Sequence, residues 1–553
     1  MITTTTTSPP RSARRAIAAL AVCTGLLAVG CGSSDDGDQT SEGATADTAP
    51  MVGATGAGIT SGPPDGTEVV DGGDLVFGIE AEPAGLDPSR FAFSSAGHLV
   101  ASAVFDPLAT LDEDGNAVPY LAEGFESSDD DKTWTITLPE GVTFHDGSAF
   151  DADAVVANLE AYRTSTIVSS AFWAFDTIEA TDPTTVTITL TEPYANLPAL
   201  FTAQAGYMAA PVMFEDASYG LAPIGTGPFR FDSHTPDQLW SFTANEDYWR
   251  EGEPHLDSID FVPIPDNSQR LSDLRSAEID IMYTQRSQQV NELRSSDFKL
   301  VEFTGGDESM LVLNTSKPPF DSLTARRAVA FATDAAGWRA NNPVEQPANS
   351  PFSEFQPGYL EDNGYPEFDM EQAKALVAEY EAETGGPLAF SFTTQEDLDN
   401  LTDADFFAET YREAGMEVTI AAIPQINLVA TVATGNYEMA RFRIFNQPDP
   451  DADSHFWRTS SIGDLVSLNF PRYENPDVDA AINLALATDD EAERDAAYQE
   501  VNRIFAENVP YVWLGRSTWV LAADPRVNGI YDAANGSLQT VGPKTWIAGL
   551  WIS

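Results

Sequence analysis

The chain has 553 residues, with 28 Lys+Arg against 86 Asp+Glu and a formal net charge of −58. Such an acidic surface repels nucleic-acid phosphates and anionic lipid headgroups, which argues against binding DNA, RNA or a membrane surface. Its 42% hydrophobic residues can build more than one core, and the length calls for two or more lobes.

Arg11, Arg14 and Arg15 precede an apolar run from Ala16 to Gly30, which ends at Cys31. A basic start, a short apolar stretch and small residues before a cut mark a secretory signal. The run of about fifteen residues is shorter than the ~20 that a membrane-spanning helix needs. Ala28-Val29-Gly30-Cys31 resembles the lipobox of bacterial lipoproteins, with Leu27 one position early. That resemblance makes residues 1–30 a signal peptide and Cys31 the lipidated first residue; the alternative is an ordinary signal with an incidental Cys. Cys23 lies in the removed part, so no internal disulfide and no Cys-based metal site is expected. Residues 31–73 are rich in Gly, Ser, Thr, Asp and Pro and read as a disordered tether. About 40 such residues span roughly 35 Å. The expected location is therefore outside the cytoplasm, with the body held to the bacterial cell membrane by its end.

The body alternates strands and helices. DLVFGI reads as a strand, and TWTITL as another. Asp151 caps a helix with Val155, Val156, Leu159 and Tyr162 on its apolar face. PTTVTITL and GTGPFRF open further β sections, and LRSAEIDIMY ends a helix in a strand. A helix beginning near Asp369 turns Ala373, Leu376, Val377 and Tyr380 inward, with Gln372 placed as in a capping box. Another, from about Asp490 to Glu507, buries Val501, Ile504 and Phe505. No 20–50-residue repeat is present, so the pattern is an α/β protein of several lobes.

Catalytic signals are weak. There is no G-x-S-x-G, H-E-x-x-H or P-loop motif. The histidines (His98, His145, His234, His255, His455) are scattered. Asp449, Asp451, Asp453 and His455 alternate like the start of a calcium loop, but Ser454 and Ser460 stand where Gly and Glu are required. Asp112-Glu113-Asp114-Gly115-Asn116 reads as a turn between two strands. The expectation is no enzyme activity, no metal and no cofactor.

Several motifs in fixed order resemble the extracytoplasmic solute-binding proteins of family 5, which serve ABC importers. They are PYLAEGFESSDDDKTWTITLPEGVTFHDGSAFDADAVVANLE (119–160), PIGTGPFRF (223–231), NEDYWREGEPHLDSIDF (245–261), SAEIDI (276–281), LNTSKPPFDSLTARRAVAFATD (313–334) and YENPDVDAAI (473–482). The resemblance implies a two-lobed periplasmic-binding-protein-like fold (type II, cluster C) with a subdomain inserted in the first lobe. Lobe I would span 74–304 with the insertion at about 111–222, lobe II 305–510, and 511–553 would return to lobe I. The HDG around His145 and the GTGPF turn read as fold-forming, and Trp134 and Trp249 as core residues. The implied function is capture of a peptide-like solute by hinge closure and delivery to ABC permease subunits, by a monomer. Alternatives are an oligosaccharide or anionic small molecule as ligand, or a ligand sensor.

RFRIFNQPDPD (441–451) is where the sequence departs from peptide-binding relatives, which there resemble W-x-x-D-Y-x-x-P. Aligned on Pro450, Arg443 takes the Trp slot, and Asn446 takes the slot of the Asp that pairs with a peptide ammonium. A neutral Asn cannot make that charge-assisted bond, whereas an Arg favours a carboxylate or another anion. On a strand Arg441 and Arg443 share a face. The bland reading pairs Arg443 with Asp449 or Asp451. The ligand-binding set expected is Arg443, Asn446, Asp449, Arg441, Ala84 and Leu86.

Overall fold

In the computed structural model the described residues are 51–52, 57–59, 69–112, 115–445, 449–463, 465–530 and 547–553. Residues 1–30, read above as a signal peptide, and Cys31 lie outside them, as does Asn446.

Among the described residues the main sheet has twelve strands, and ten of them form its path: β1 (Asp74–Ile79), β2 (Phe229–Thr235), β3 (Leu239–Ala244), β4 (Ser258–Pro263), β5 (Ile281–Thr284), β6 (Lys299–Leu313), β7 (Ala389–Gln395), β8 (Glu417–Ile423), β9 (Met439–Phe445) and β10 (Tyr511–Ala523). They are hydrogen-bonded in the order β2-β3-β4-β1-β5-β10-β6-β9-β7-β8. The alternation in DLVFGI drives Leu75, Phe77 and Ile79 into a core. β10 is buried along its whole length, as its near-continuous apolar run YVWLGRSTWVLAA leads one to expect for a strand covered on both faces.

β6 and β10 make the fold two-lobed. Lys299–Thr304 pairs with Thr518–Ala523, in the part of β10 that also pairs with β5. Glu308–Val312 pairs with Tyr511–Arg516, in the part of β6 that also pairs with β9. The register breaks between Thr304 and Glu308. Two long strands thus carry the chain from one half of the sheet to the other. The first half encloses Phe77, Trp240, Phe261 and Trp519, and the second encloses Leu311, Trp338, Phe392 and Phe407. The short hairpin 51–52/57–59 pairs with Val301–Phe303, so strand pairing reaches back into the stretch read as a tether.

The insertion carries its own antiparallel sheet, Gly124–Ser127, Thr133–Thr137, Thr185–Leu190 and Phe175–Asp182 in that spatial order. The helix Ala152–Arg163 starts where Asp151 accepts the amide of Ala154 at 3.0 Å. Val155, Leu159 and Tyr162 are buried, and Val156 is half-buried on the flank. His145 joins this unit to the GTGP turn: its amide donates to the Gly225 carbonyl at 2.8 Å, and its Nε2 lies 2.9 Å from the Gly227 carbonyl. Burial lowers its pKa to about 4, so the neutral ring is the structural form. Asp106 is a second staple, accepting from Thr226 Oγ1, Tyr248 OH and Trp249 Nε1, each at 2.9 Å. One continuous apolar core runs from Trp134, Ile136 and Leu159 of the insertion to Trp457, Tyr498 and Phe505 of the second half.

Candidate functional site

β9 lies between β6 and β7 in the second lobe. Alternation puts Arg441 and Arg443 on the face shared with their register partners Leu311 and Ser309. Arg441 points into its own lobe. Its Nη2 lies 3.0 Å from Asp403 Oδ2, its Nη1 donates to Asn400 Oδ1, and its guanidinium stands 5.6 Å over the Trp338 ring. Asp403 and Asn400 sit on the helix Leu398–Glu413, which Asp397 caps by accepting the Asn400 amide. Burial lowers the Arg441 pKa, and the Asp403 charge works against that shift.

Arg443, two residues nearer the strand crossing, reaches over the lobe boundary. Its Nη1 donates to Gln285 Oε1, and its guanidinium lies 4.8 Å from the Trp519 ring centroid. Gln285 follows β5 of the first lobe, and Trp519 belongs to the part of β10 that packs in the first lobe. A half-buried arginine stacked on an indole is held flat by cation–π attraction, worth about 0.5–2 kcal/mol. Arg286, next to Gln285, crosses the same boundary: its Nε lies 3.3 Å from Asp399 Oδ2 and its Nη2 3.7 Å from Asp397 Oδ1. One wall of the interlobe junction is therefore Gln285, Arg286, Arg443 and Trp519.

Asp449 is engaged elsewhere. Its Oδ1 and Oδ2 accept from Arg494 Nη2 at 2.6 and 2.8 Å, and Oδ2 also accepts from Asn196 Nδ2 at 2.7 Å. Asp451 Oδ2 lies 2.9 Å from the same Arg494 nitrogen, while its Oδ1 accepts from Tyr498 OH at 2.5 Å. Tyr194 OH donates to the Asp451 carbonyl at 3.1 Å, and the Ala195 amide to the Leu486 carbonyl at 2.8 Å. This knot ties the insertion to the second lobe. Burial, then the Asp449 charge, push the Asp451 pKa up to about 7, because one arginine serves two carboxylates. Burial also works against the Arg494 charge, yet the two aspartates together hold its proton more firmly than usual.

Several residues of the expected ligand-binding set have partners within the protein. Arg441 and Asp449 are held in ion pairs with Asp403 and Arg494, side chains of opposite charge that two helices bring to them. Leu86 is fully buried in the first-lobe core, with its amide donating to the Gly220 carbonyl at 2.7 Å. Ala84 is exposed on the same loop. Asp449 and Asp451, the acids that the bland reading offered to Arg443, both lie against Arg494. Asn446 lies outside the described residues. Sequence reasoning missed Gln285 and Arg286, although a polar pair just past the end of the strand IDIMYT is where open α/β sheets place their ligand contacts.

Comparison with known proteins agrees with this architecture. The profile described as "Bacterial extracellular solute-binding proteins, family 5 Middle" matches residues 116–464, more than half of the chain. The glutathione-binding protein GsiB of Pectobacterium atrosepticum is 28% identical over 480 residues, covering 83% of this chain and 91% of that protein. GsiB of Escherichia coli K12 is 26% identical over 487 residues, covering 83% and 92%. Among solved structures, AgaA of A. tumefaciens R10 in complex with agropinic acid superposes with a TM-score of 0.79 at 24% identity, covering 87% of this chain and 99% of that one. DppA of Helicobacter pylori in complex with the peptide STSA gives 0.78 at 22% identity, covering 87% and 98%. These neighbours establish the two-lobed type II binding-protein fold. Members of the family are extracytoplasmic substrate-binding components of ABC transporters and not enzymes. No helix among the described residues is long and apolar enough to cross a membrane. The chain belongs to bacterial extracellular solute-binding protein family 5.

Proposed function

We propose that this protein captures a peptide-like solute bearing a free carboxylate, closes its two lobes over it and delivers it to an ABC permease, while a lipid on Cys31 holds it at the membrane. The observation that supports the cargo class best is Arg443, which stands at the lobe boundary over Trp519 and beside Gln285. A guanidinium there offers two parallel N–H donors to a carboxylate. Bridging from the second lobe to first-lobe groups makes that contact sensitive to closure. A solute that touches both lobes favours the closed state by its differential affinity, which is what couples capture to transport. The GsiB relatives carry the name of a peptide with free carboxylates, which points the same way.

Native mass spectrometry of the full chain, purified gently in mild detergent from its host, identifies the cargo. The expected result is a co-purifying peptide-like mass with a carboxylate, lost in Arg443→Ala. A neutral sugar that survives this substitution overturns the reading.

A further inference from the structure

We infer that Arg286 is a second anion-binding residue of the same cleft, so that the cargo carries two carboxylates, one met by each lobe. The inference rests on the reading of the chain as a binder of peptide-like solutes and narrows its ligand class.

Arg286, Arg441 and Arg443 lie close enough that the first and third charges both act on Arg441. In a chain with 86 acids and 28 Lys+Arg, three guanidiniums gather here beside Asp397, Asp399 and Asp403. Arg441 is satisfied within its own lobe by Asp403 and Asn400. Arg286 is not satisfied in this way. Among the described residues its guanidinium donates no hydrogen bond, although its side chain is only 25% exposed. The two carboxylates beside it are 44% and 53% exposed and stand at 3.7 and 3.3 Å. The enclosed pairs of Arg441 and Arg494 measure 2.6–3.0 Å. Asp397 already serves as a helix cap, accepting the Asn400 amide at 3.0 Å. Five N–H donors in a fixed fork, loosely held and partly desolvated, suit one incoming carboxylate.

The placement gives this cation a selective role. Arg286 belongs to the first lobe and Arg443 to the second, and Gln285, the chain neighbour of Arg286, accepts from Arg443 Nη1. A monocarboxylate engages one guanidinium and leaves the other with its partners in the protein. A dicarboxylate joins both lobes and stabilises the closed state more than the open one. Asp397 and Asp399 compete for Arg286, so a ligand without the second acid gains nothing by displacing them.

The test is calorimetric titration of the full chain in mild detergent with three probes: glutathione, its glycine-carboxyl monoethyl ester and tri-alanine. Wild type is expected to bind glutathione about tenfold or more tightly than the ester, the worth of one charge-assisted contact. In Arg286→Gln that preference falls to within about twofold while binding of the ester is unchanged; Arg286→Lys, which keeps charge but loses the fork, falls between. Should Arg286→Gln fold poorly, the Lys variant alone decides, since unaltered preference in it removes the bidentate role. Wild type binding all three probes, or both carboxyl forms, equally well overturns the inference and leaves the peptide reading standing. Binding of none of them overturns the peptide reading and this inference with it.

Discussion

Arg494 and Arg443 are both arginines at a seam between parts of an acid-rich chain, and their surroundings are opposite. Arg494 is enclosed by Asp449, Asp451 and the aromatic walls of Tyr194 and Tyr498. Its charge is matched twice over by the protein itself. Arg443 lies over Trp519 and donates to the side-chain amide of Gln285 across the lobe boundary. A cation enclosed by its own acids is architecture, because a visiting anion would have to displace a carboxylate already in place. We place the visiting anion instead at the cation that lies over an indole at the lobe boundary.

The comparison breaks most visibly at Arg494. Arg494→Ala leaves two buried carboxylates unpaired and is expected to cost about 3–5 kcal/mol of stability, read by chemical denaturation. Ligand affinity of the folded fraction should not change. Arg441→Ala removes a partner from a smaller buried pair and is expected to cost about 2–3 kcal/mol, again without a loss of affinity. Arg443→Ala reverses the pattern: stability falls by about 1 kcal/mol or less, the scale of a cation–π contact, while solute affinity drops about tenfold or more.

The smallest effect is a pH dependence at the knot. The folded-state pKa of Asp451, about 7, stands above its ordinary value of 3.8, so the fold prefers the neutral acid. Its stabilising contribution is complete below the ordinary value and is lost as pH rises through about 7. Between pH 5 and pH 8 the melting temperature should therefore fall further in wild type than in Asp451→Asn, by a few degrees, about 1 kcal/mol. An equal fall in both would mean that Arg494 holds both carboxylates ionised.

The helix starts were legible because capping is local chemistry. Asp151, Asp369 and Asp490 each accept amides of the first turn, and Ala373, Leu376, Val377 and Tyr380 are buried together as their spacing demands. Ala109–Leu111 and Ala117–Pro119 pair antiparallel, with Asp112 Oδ1 accepting the Asn116 amide at 2.8 Å. The site was legible only in part. Alternation put Arg441 and Arg443 on one face, but could not tell which would meet Asp403 on a helix 38 positions upstream and which would reach Trp519 at the far end of the chain. Long-range pairing decides between two residues of the same type on the same face. The burial of Leu86 was illegible for the same reason: its amide bonds to the Gly220 carbonyl, a contact invisible locally.

Side-by-side calorimetric titration of glutathione into wild type, Arg441→Ala and Arg443→Ala tests the account most directly. It predicts that Arg441→Ala binds within about twofold of wild type and that Arg443→Ala binds about tenfold or more weakly. Equal binding by wild type and Arg443→Ala, or a loss confined to Arg441→Ala, would contradict it.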